Sequence, residues 1–104
     1  MQLANTFSAL GNATRFAIVE RLLQQGELPA GAFLDMNGVS PPAMSRHFKV
    51  LREAGIVNQR IDKQRRIYSV RPQAVQQISD WSISYRKFWE NGLDRLAMAL
   101  SEDV

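Results

Sequence analysis

The side chains able to do chemistry gather in one part of this chain. Ser40, Pro42, Ala43, Ser45, Arg46, His47 and Lys49 fall within ten positions, and Lys63, Gln64, Arg65 and Arg66 follow as one run. From Arg46 to Arg71 eight basic residues face only Glu53 and Asp62, a net +6 in a chain whose total is +3. Arg outnumbers Lys, and a guanidinium can bond O6 and N7 of guanine together or grip a phosphate with two N–H groups. A basic middle in an otherwise mildly acidic chain is the footprint expected for a polyanion. Charge alone does not separate that reading from a solvated basic surface.

Other chemistry finds little support. Cysteine is absent, which excludes disulfides, thiol redox sensing and cysteine-ligated zinc. His47 is the only histidine. It lies three residues after Met44 and four before Leu51, at the edge of an apolar helix face. A hydrogen-bonded, partly buried imidazole or a phosphate contact suits it better than metal ligation. No nucleophile–base pair, phosphate loop or carboxylate cluster stands out, so neither catalysis nor a cofactor is expected. The start, MQLANTFSAL, has no basic region followed by a long apolar run, and no stretch approaches a membrane span. A cytoplasmic protein of one domain, residues 1–104, is the expectation.

The elements that must position these residues follow from periodicity. Leu3, Phe7 and Leu10 give a short helix an apolar face, and Gly11 breaks it. Asn12 can cap a second helix running to about Gln25, with Phe16, Val19, Leu22 and Leu23 as its buried stripe and Gly26 after its end. Pro29 suits the first position of a third helix, where Phe33, Leu34 and Met36 supply apolar contacts. Asn37-Gly38 signals a turn. Ser40 caps the next helix and Pro41 fits its first position. Met44, Phe48 and Leu51 then face the core, while Pro42, Arg46, Lys49 and Glu53 lie opposite. After Gly55 the period becomes two: Val57, Gln59 and Ile61 on one strand, a charged tip at Asp62–Arg65, and a return strand with Tyr68 and Val70 on one face. Pro72 stops that strand and can start a long helix carrying Val75, Ile78, Trp81, Tyr85, Phe88, Trp89, Leu93, Leu96 and Leu100. The fold expected is mainly α, about five helices plus a two-stranded wing: a winged helix-turn-helix.

The stretches FSALGNATRFAIVERL, VSPPAMSRHFKVLREAGIV and RIDKQRRIYSV strongly resemble the ArsR family of bacterial winged-helix repressors, over roughly residues 3 to 100. Ser45-Arg46-His47-Phe48 and Leu51-Arg52-Glu53-Ala54-Gly55-Ile56-Val57 match the family's Ser-x-His-Leu and Leu-x-x-Ala-Gly-Leu-Val pattern, with Phe48 and Ile56 as conservative departures. The resemblance implies a homodimer joined through its first and last helices, and binding to operator DNA that some signal releases. The wing tip of the family often holds Gly, and Lys63 stands there instead. The metal-sensing motifs of the family, cysteine pairs or Asp/His/Glu clusters on the last helix, are absent. The aromatic last helix looks more like members without an obvious metal site, and the effector stays unassigned.

Roles at double-stranded DNA follow from position. Ser45 and Arg46 lie in the first half of the recognition helix, where side chains reach base edges, and Arg46 suits direct readout. Ser40 can cap its helix and bond a phosphate at once. Pro42 and Ala43 offer apolar contact, as to a thymine methyl. Lys49, a turn further on, suits phosphate. Lys63, Gln64, Arg65 and Arg66 place a basic wing along the backbone or in the minor groove. Leu3, Phe7 and Leu10, with Trp81, Tyr85, Phe88, Trp89, Leu93 and Leu96, form the expected dimer contact; the aromatics among them either pack there or line an effector pocket.

Overall fold

Two side-chain caps set the helical frame. In the computed structural model, which describes residues 2–36 and 38–102, the Asn12 side chain accepts from the Arg15 N–H at 3.1 Å. The Ser40 hydroxyl accepts from the Ala43 N–H at 3.3 Å. Each cap satisfies a donor that the first helical turn cannot bond internally. The elements run α1 (Leu3–Leu10), α2 (Ala13–Gln25), β1 (Leu28–Pro29), a 3₁₀ turn (Ala30–Phe33), α3 (Pro41–Glu53), β2 (Val57–Asp62), β3 (Arg65–Val70), α4 (Pro72–Ser84) and α5 (Arg86–Glu102). Gly55 takes the left-handed conformation, φ 75°, that lets the chain leave α3 and enter β2 at once.

The three strands form one antiparallel sheet in the order β1-β3-β2. The hairpin is in register from Val57↔Val70 to Asp62↔Arg65, so Lys63 and Gln64 alone make its tip. Lys63 has φ 58°, the conformation that a glycine adopts at no cost. Inside, Phe48 of α3 stacks on Tyr68 of β3 with ring centroids 3.9 Å apart, and Phe33 meets Phe48 edge-on at 5.2 Å. These rings join Ile18, Val19, Leu22, Met44, Leu51, Ile56 and Val57 in the core that seats α3.

Several expectations are corrected. The third helix is a two-residue strand and a single 3₁₀ turn instead. Pro29 is extended (φ −73°, ψ 156°) and lies opposite Ile67, as proline can at a sheet edge. That short turn directs Phe33 inward and leaves Leu34 71% exposed. On α2, Ile18 is buried in place of Phe16 and Leu23, which are 49% and 55% exposed. Those two lie about 100° round the helix from Leu22, outside the stripe centred on Ile18 and Leu22. In α1 the fully covered residues are Thr6 and Ala9. Ile61, grouped with Val57, is exposed because the hairpin has by then left the body. Asn37 lies outside the described residues; Gly38 has the positive φ, 76°, of a turn.

The long last helix is two helices. Tyr85 leaves the helical region at φ −105°, ψ 22°. Side chains draw on the carbonyls there: the Ser84 hydroxyl donates to Trp81 O at 2.7 Å, and the Trp89 indole donates to Ser82 O at 3.2 Å. Such local bonds compete with the helical ladder. No residue of α5 is buried. The radius of gyration is 18.0 Å, against about 13 Å for an ordinary domain of this length, because α5 stands away from the rest.

Candidate nucleic-acid interface

The core contacts of Met44, Phe48 and Leu51 decide which face of α3 is turned out. Pro42, Ser45, Arg46 and Lys49 are exposed on it, with Ser40 exposed at its head, and Ala43 and His47 half-buried at its margins. Lys63, Gln64, Arg65 and Arg66 are all exposed at the end of the hairpin. A groove of about 480 Å³ runs between that end and the 3₁₀ turn, lined by Pro29, Ala30, Gly31, Gln64, Arg65 and Arg66.

The basic run is less uniform than its charge count. Arg60 makes a two-point bond to Glu27, Nε to Oε2 at 3.0 Å, which ties β2 to the residue before β1. This pair holds the Glu27 carboxyl below its ordinary range and raises Arg60. Lys49 and Arg65 have looser partners, Glu53 at 3.9 Å and Asp62 at 3.8 Å. Arg46, Lys63 and Arg66 have no ion pair among the described residues, and so keep their full charge for a polyanion.

Two arginines that sequence reading passed over hold the frame of this surface. Arg21 bonds the Asp35 carboxylate at 2.7 Å and Ala32 O at 2.9 Å, and lies over the Phe33 ring, which fixes the 3₁₀ turn to α2. Its hydrogen bond holds Asp35 below the usual carboxylate range. Arg15 donates from Nε to Ala9 O at 2.6 Å, and its Nη1 lies 3.4 Å from His47 Nδ1. Burial first, then the Arg15 and Arg46 charges, push the His47 pKa below 6.5. Nothing in a single sequence marks contacts across such separations, 33 positions for Arg60 and Glu27. Among the described residues no three His, Asp or Glu side chains converge as a metal would require.

Residues 10–60 match the family model described as a helix-turn-helix domain. The HTH-type transcriptional regulator Rv2034 of Mycobacterium tuberculosis is 34% identical over 97 residues, 93% of this chain and 87% of that protein. The transcriptional repressor SdpR of Bacillus subtilis is 27% identical over 89 residues, 86% of this chain and 98% of that protein. A crystal structure of an ArsR family transcriptional regulator shares the fold with a TM-score of 0.77 at 21% identity, covering 86% of this chain and 98% of its own. The chain belongs to the ArsR family of winged helix-turn-helix transcriptional regulators. As an ArsR-family member it is a DNA-binding regulator and not an enzyme.

The residues expected at a subunit contact divide in this ArsR-family chain. Leu10 is half-buried against the chain's own core, and Leu3 is half-buried. Phe7 packs edge-on to Trp81 at 5.4 Å, which links α1 to α4. Trp81, Tyr85, Phe88, Trp89, Leu93 and Leu96 are exposed. Trp81, Ser82, Tyr85, Phe88 and Trp89 surround a concavity of about 440 Å³ at the helix break. No helix among the described residues is long and apolar enough to cross a membrane.

Proposed function

We propose that this single-domain protein is a cytoplasmic, homodimeric repressor that binds an inverted-repeat operator, with α3 in the major groove and the hairpin along the flanking backbone. The observation that carries the reading is the outward face of α3. Ser45 and the unpaired Arg46 stand in its first two turns, and Ser40 caps its head. Side chains in those turns meet base edges when such a helix docks. Arg46 reads a base, Ser45 assists it, and Pro42 and Ala43 offer methyl contact. Ser40 and Lys49 line the approach to phosphate, and His47 offers its ring at the margin of the base-reading face. Lys63, Gln64, Arg65 and Arg66 hold the wing to DNA. The exposed apolar side chains of α4 and α5, with Leu3, Phe7 and Leu10 of α1, supply the subunit contact. Two-fold symmetry of the protein then requires two half-sites about one helical turn apart, or a small multiple of it.

The test is a gel shift on duplexes enriched by the protein from a random pool, together with sedimentation of the free protein. An inverted repeat bound by a dimer, with affinity falling steeply as salt rises, is expected. A monomer at micromolar concentration, or binding indifferent to salt, refutes it. A second reading rests on the concavity at the helix break: four aromatic side chains around about 440 Å³ suit a small apolar effector. Native mass spectrometry of freshly purified protein, showing a retained small molecule or none, decides it.

A further inference from the structure

We propose that Arg15 is a positioning residue that fixes His47 as the neutral tautomer carrying its proton on Nε2, so that the recognition helix presents a hydrogen-bond donor there and never an acceptor. This rests on α3 being the recognition helix. The argument begins with the guanidinium, which has five N–H donors and no acceptor. Its Nη1 lies 3.4 Å from His47 Nδ1, and Nε is already committed to Ala9 O at 2.6 Å in the last turn of α1. Only an unprotonated Nδ1 can accept from Nη1. A neutral imidazole then bears its hydrogen on Nε2.

The charges around the ring act in the same direction. Arg15 faces it from α2 and Arg46 stands beside it on α3, both cationic. Glu53 shares a concavity with Arg15, Ala9 and Ser8, but its carboxylate pairs with Lys49. A second ring proton would set Nδ1–H against Nη1–H and add a third positive charge to the group.

The consequence is a polarity filter. An Nε2–H can donate to guanine O6 or N7, to thymine O4 or to adenine N7. It has nothing to offer the amino groups of cytosine or adenine. Arg15 itself, tied to α1, need not touch DNA to impose this.

His47 is the only histidine, so ¹⁵N-histidine labelling gives one pair of ring resonances and no assignment problem. In the free protein at pH 7.5 the Nδ1 resonance is expected in the unprotonated range and Nε2 in the protonated range. The titration midpoint is expected below 6.5. Arg15→Gln offers Nδ1–H an acceptor, and should bring in the other tautomer and raise the midpoint. Arg15→Met keeps the stem, removes the donor, and should also raise it. A protonated Nδ1 in the wild-type protein overturns the proposal, and this measurement needs no variant to fold. A tautomer and midpoint unmoved in folded Arg15→Met overturn it equally.

On DNA, Arg15→Met should bind the duplex enriched by the wild-type protein about 2–10-fold more weakly, one hydrogen bond to a base, with a smaller change on scrambled duplex. Equal losses on both duplexes overturn the filter. Failure to enrich any duplex overturns the DNA reading and the donor role with it, while the tautomer of the free protein stands or falls by its own spectrum.

Discussion

Replacing Lys63 by Gly should make the protein more stable and a poorer DNA binder at once. Lys63 occupies the left-handed region at φ 58° in a two-residue hairpin tip. For a residue with a Cβ that conformation costs about 1–2 kcal/mol. Glycine escapes the cost but gives up more backbone entropy on folding, about 0.5–1 kcal/mol. The net gain is about 0.5–1 kcal/mol, or a rise of about 2–8 °C in Tm for a chain of this size. Lys63 is exposed and without an ion pair among the described residues, so no packing is lost to obscure the gain. The same change removes one cation from the wing. If Lys63 neutralises a phosphate, the slope of log K against log salt should become shallower by about 0.9. Urea unfolding at one fixed protein concentration reads the first quantity, and gel shifts across a salt series read the second. Destabilisation by Lys63→Gly would show that the tip does not hold Lys63 in the left-handed region. An unchanged salt slope would show that the tip stays clear of the phosphates.

Arg46→Ala should cost about 1–3 kcal/mol on the operator and relax preference at one base pair per half-site. Arg65→Ala should weaken operator and random duplex alike, and equal effects of the two substitutions on both duplexes would refute the division of roles. Leu93→Glu, which places a charge on a side chain 57% exposed in one chain, should leave the winged body folded by circular dichroism while halving the sedimenting mass. A dimer that survives it rules out this face of α5. Stability should decline as pH falls below 6.5, because the unfolded chain takes up a proton that folded His47 resists. It should decline again below about 4.5 and 3.8 as the Glu27 and Asp35 pairs are lost, and His47→Gln should remove the upper step alone. Stoichiometric zinc should neither bind tightly nor release DNA; release would require a ligand set that the described residues do not provide.

The sequence was most legible where one local rule dominates. Ser40-Pro41 and Asn12 are strong start signals, and both caps form. The spacing of Met44, Phe48 and Leu51 alone orients α3, and with it the face that would meet DNA. Legibility failed where a local pattern is outweighed by its neighbours. Pro29 is as good a first helical residue as any, but β3 offered its edge and took Leu28 and Pro29 as a strand. Phe16 and Leu23 are as apolar as Ile18, and only the direction from which α3 and the sheet approach decides which stripe is covered. The break at Tyr85 has no glycine or proline to announce it; a serine and a tryptophan bonded to backbone carbonyls accompany it. Ion pairs were the least legible, since Arg60 needs Glu27 from 33 positions away to leave the count of free charges.

The charge pairing and the exposed helix bear on one another. On the outward face of α3 and the wing, the cations without an ion pair among the described residues are three: Arg46 on α3, Lys63 and Arg66 on the wing. Each further phosphate contact raises affinity, yet so small a set gives one chain little hold on a half-site at physiological salt. Two copies joined rigidly present twice the set, and the second half-site is then met at high effective concentration. The means of joining lies in α5. Full burial of a large apolar side chain is worth about 1.5–3 kcal/mol, and Phe88, Trp89, Leu93 and Leu96 are 42–76% exposed, so covering what remains represents roughly 3–7 kcal/mol per chain. A pair of chains doubles that, against an association cost of about 4–15 kcal/mol. The two terms are of similar size, so one charge on α5 is expected to tip the balance against the dimer. In the proposed reading, then, the helix that buries no residue in its own chain is what makes a sparse set of cations sufficient for an operator.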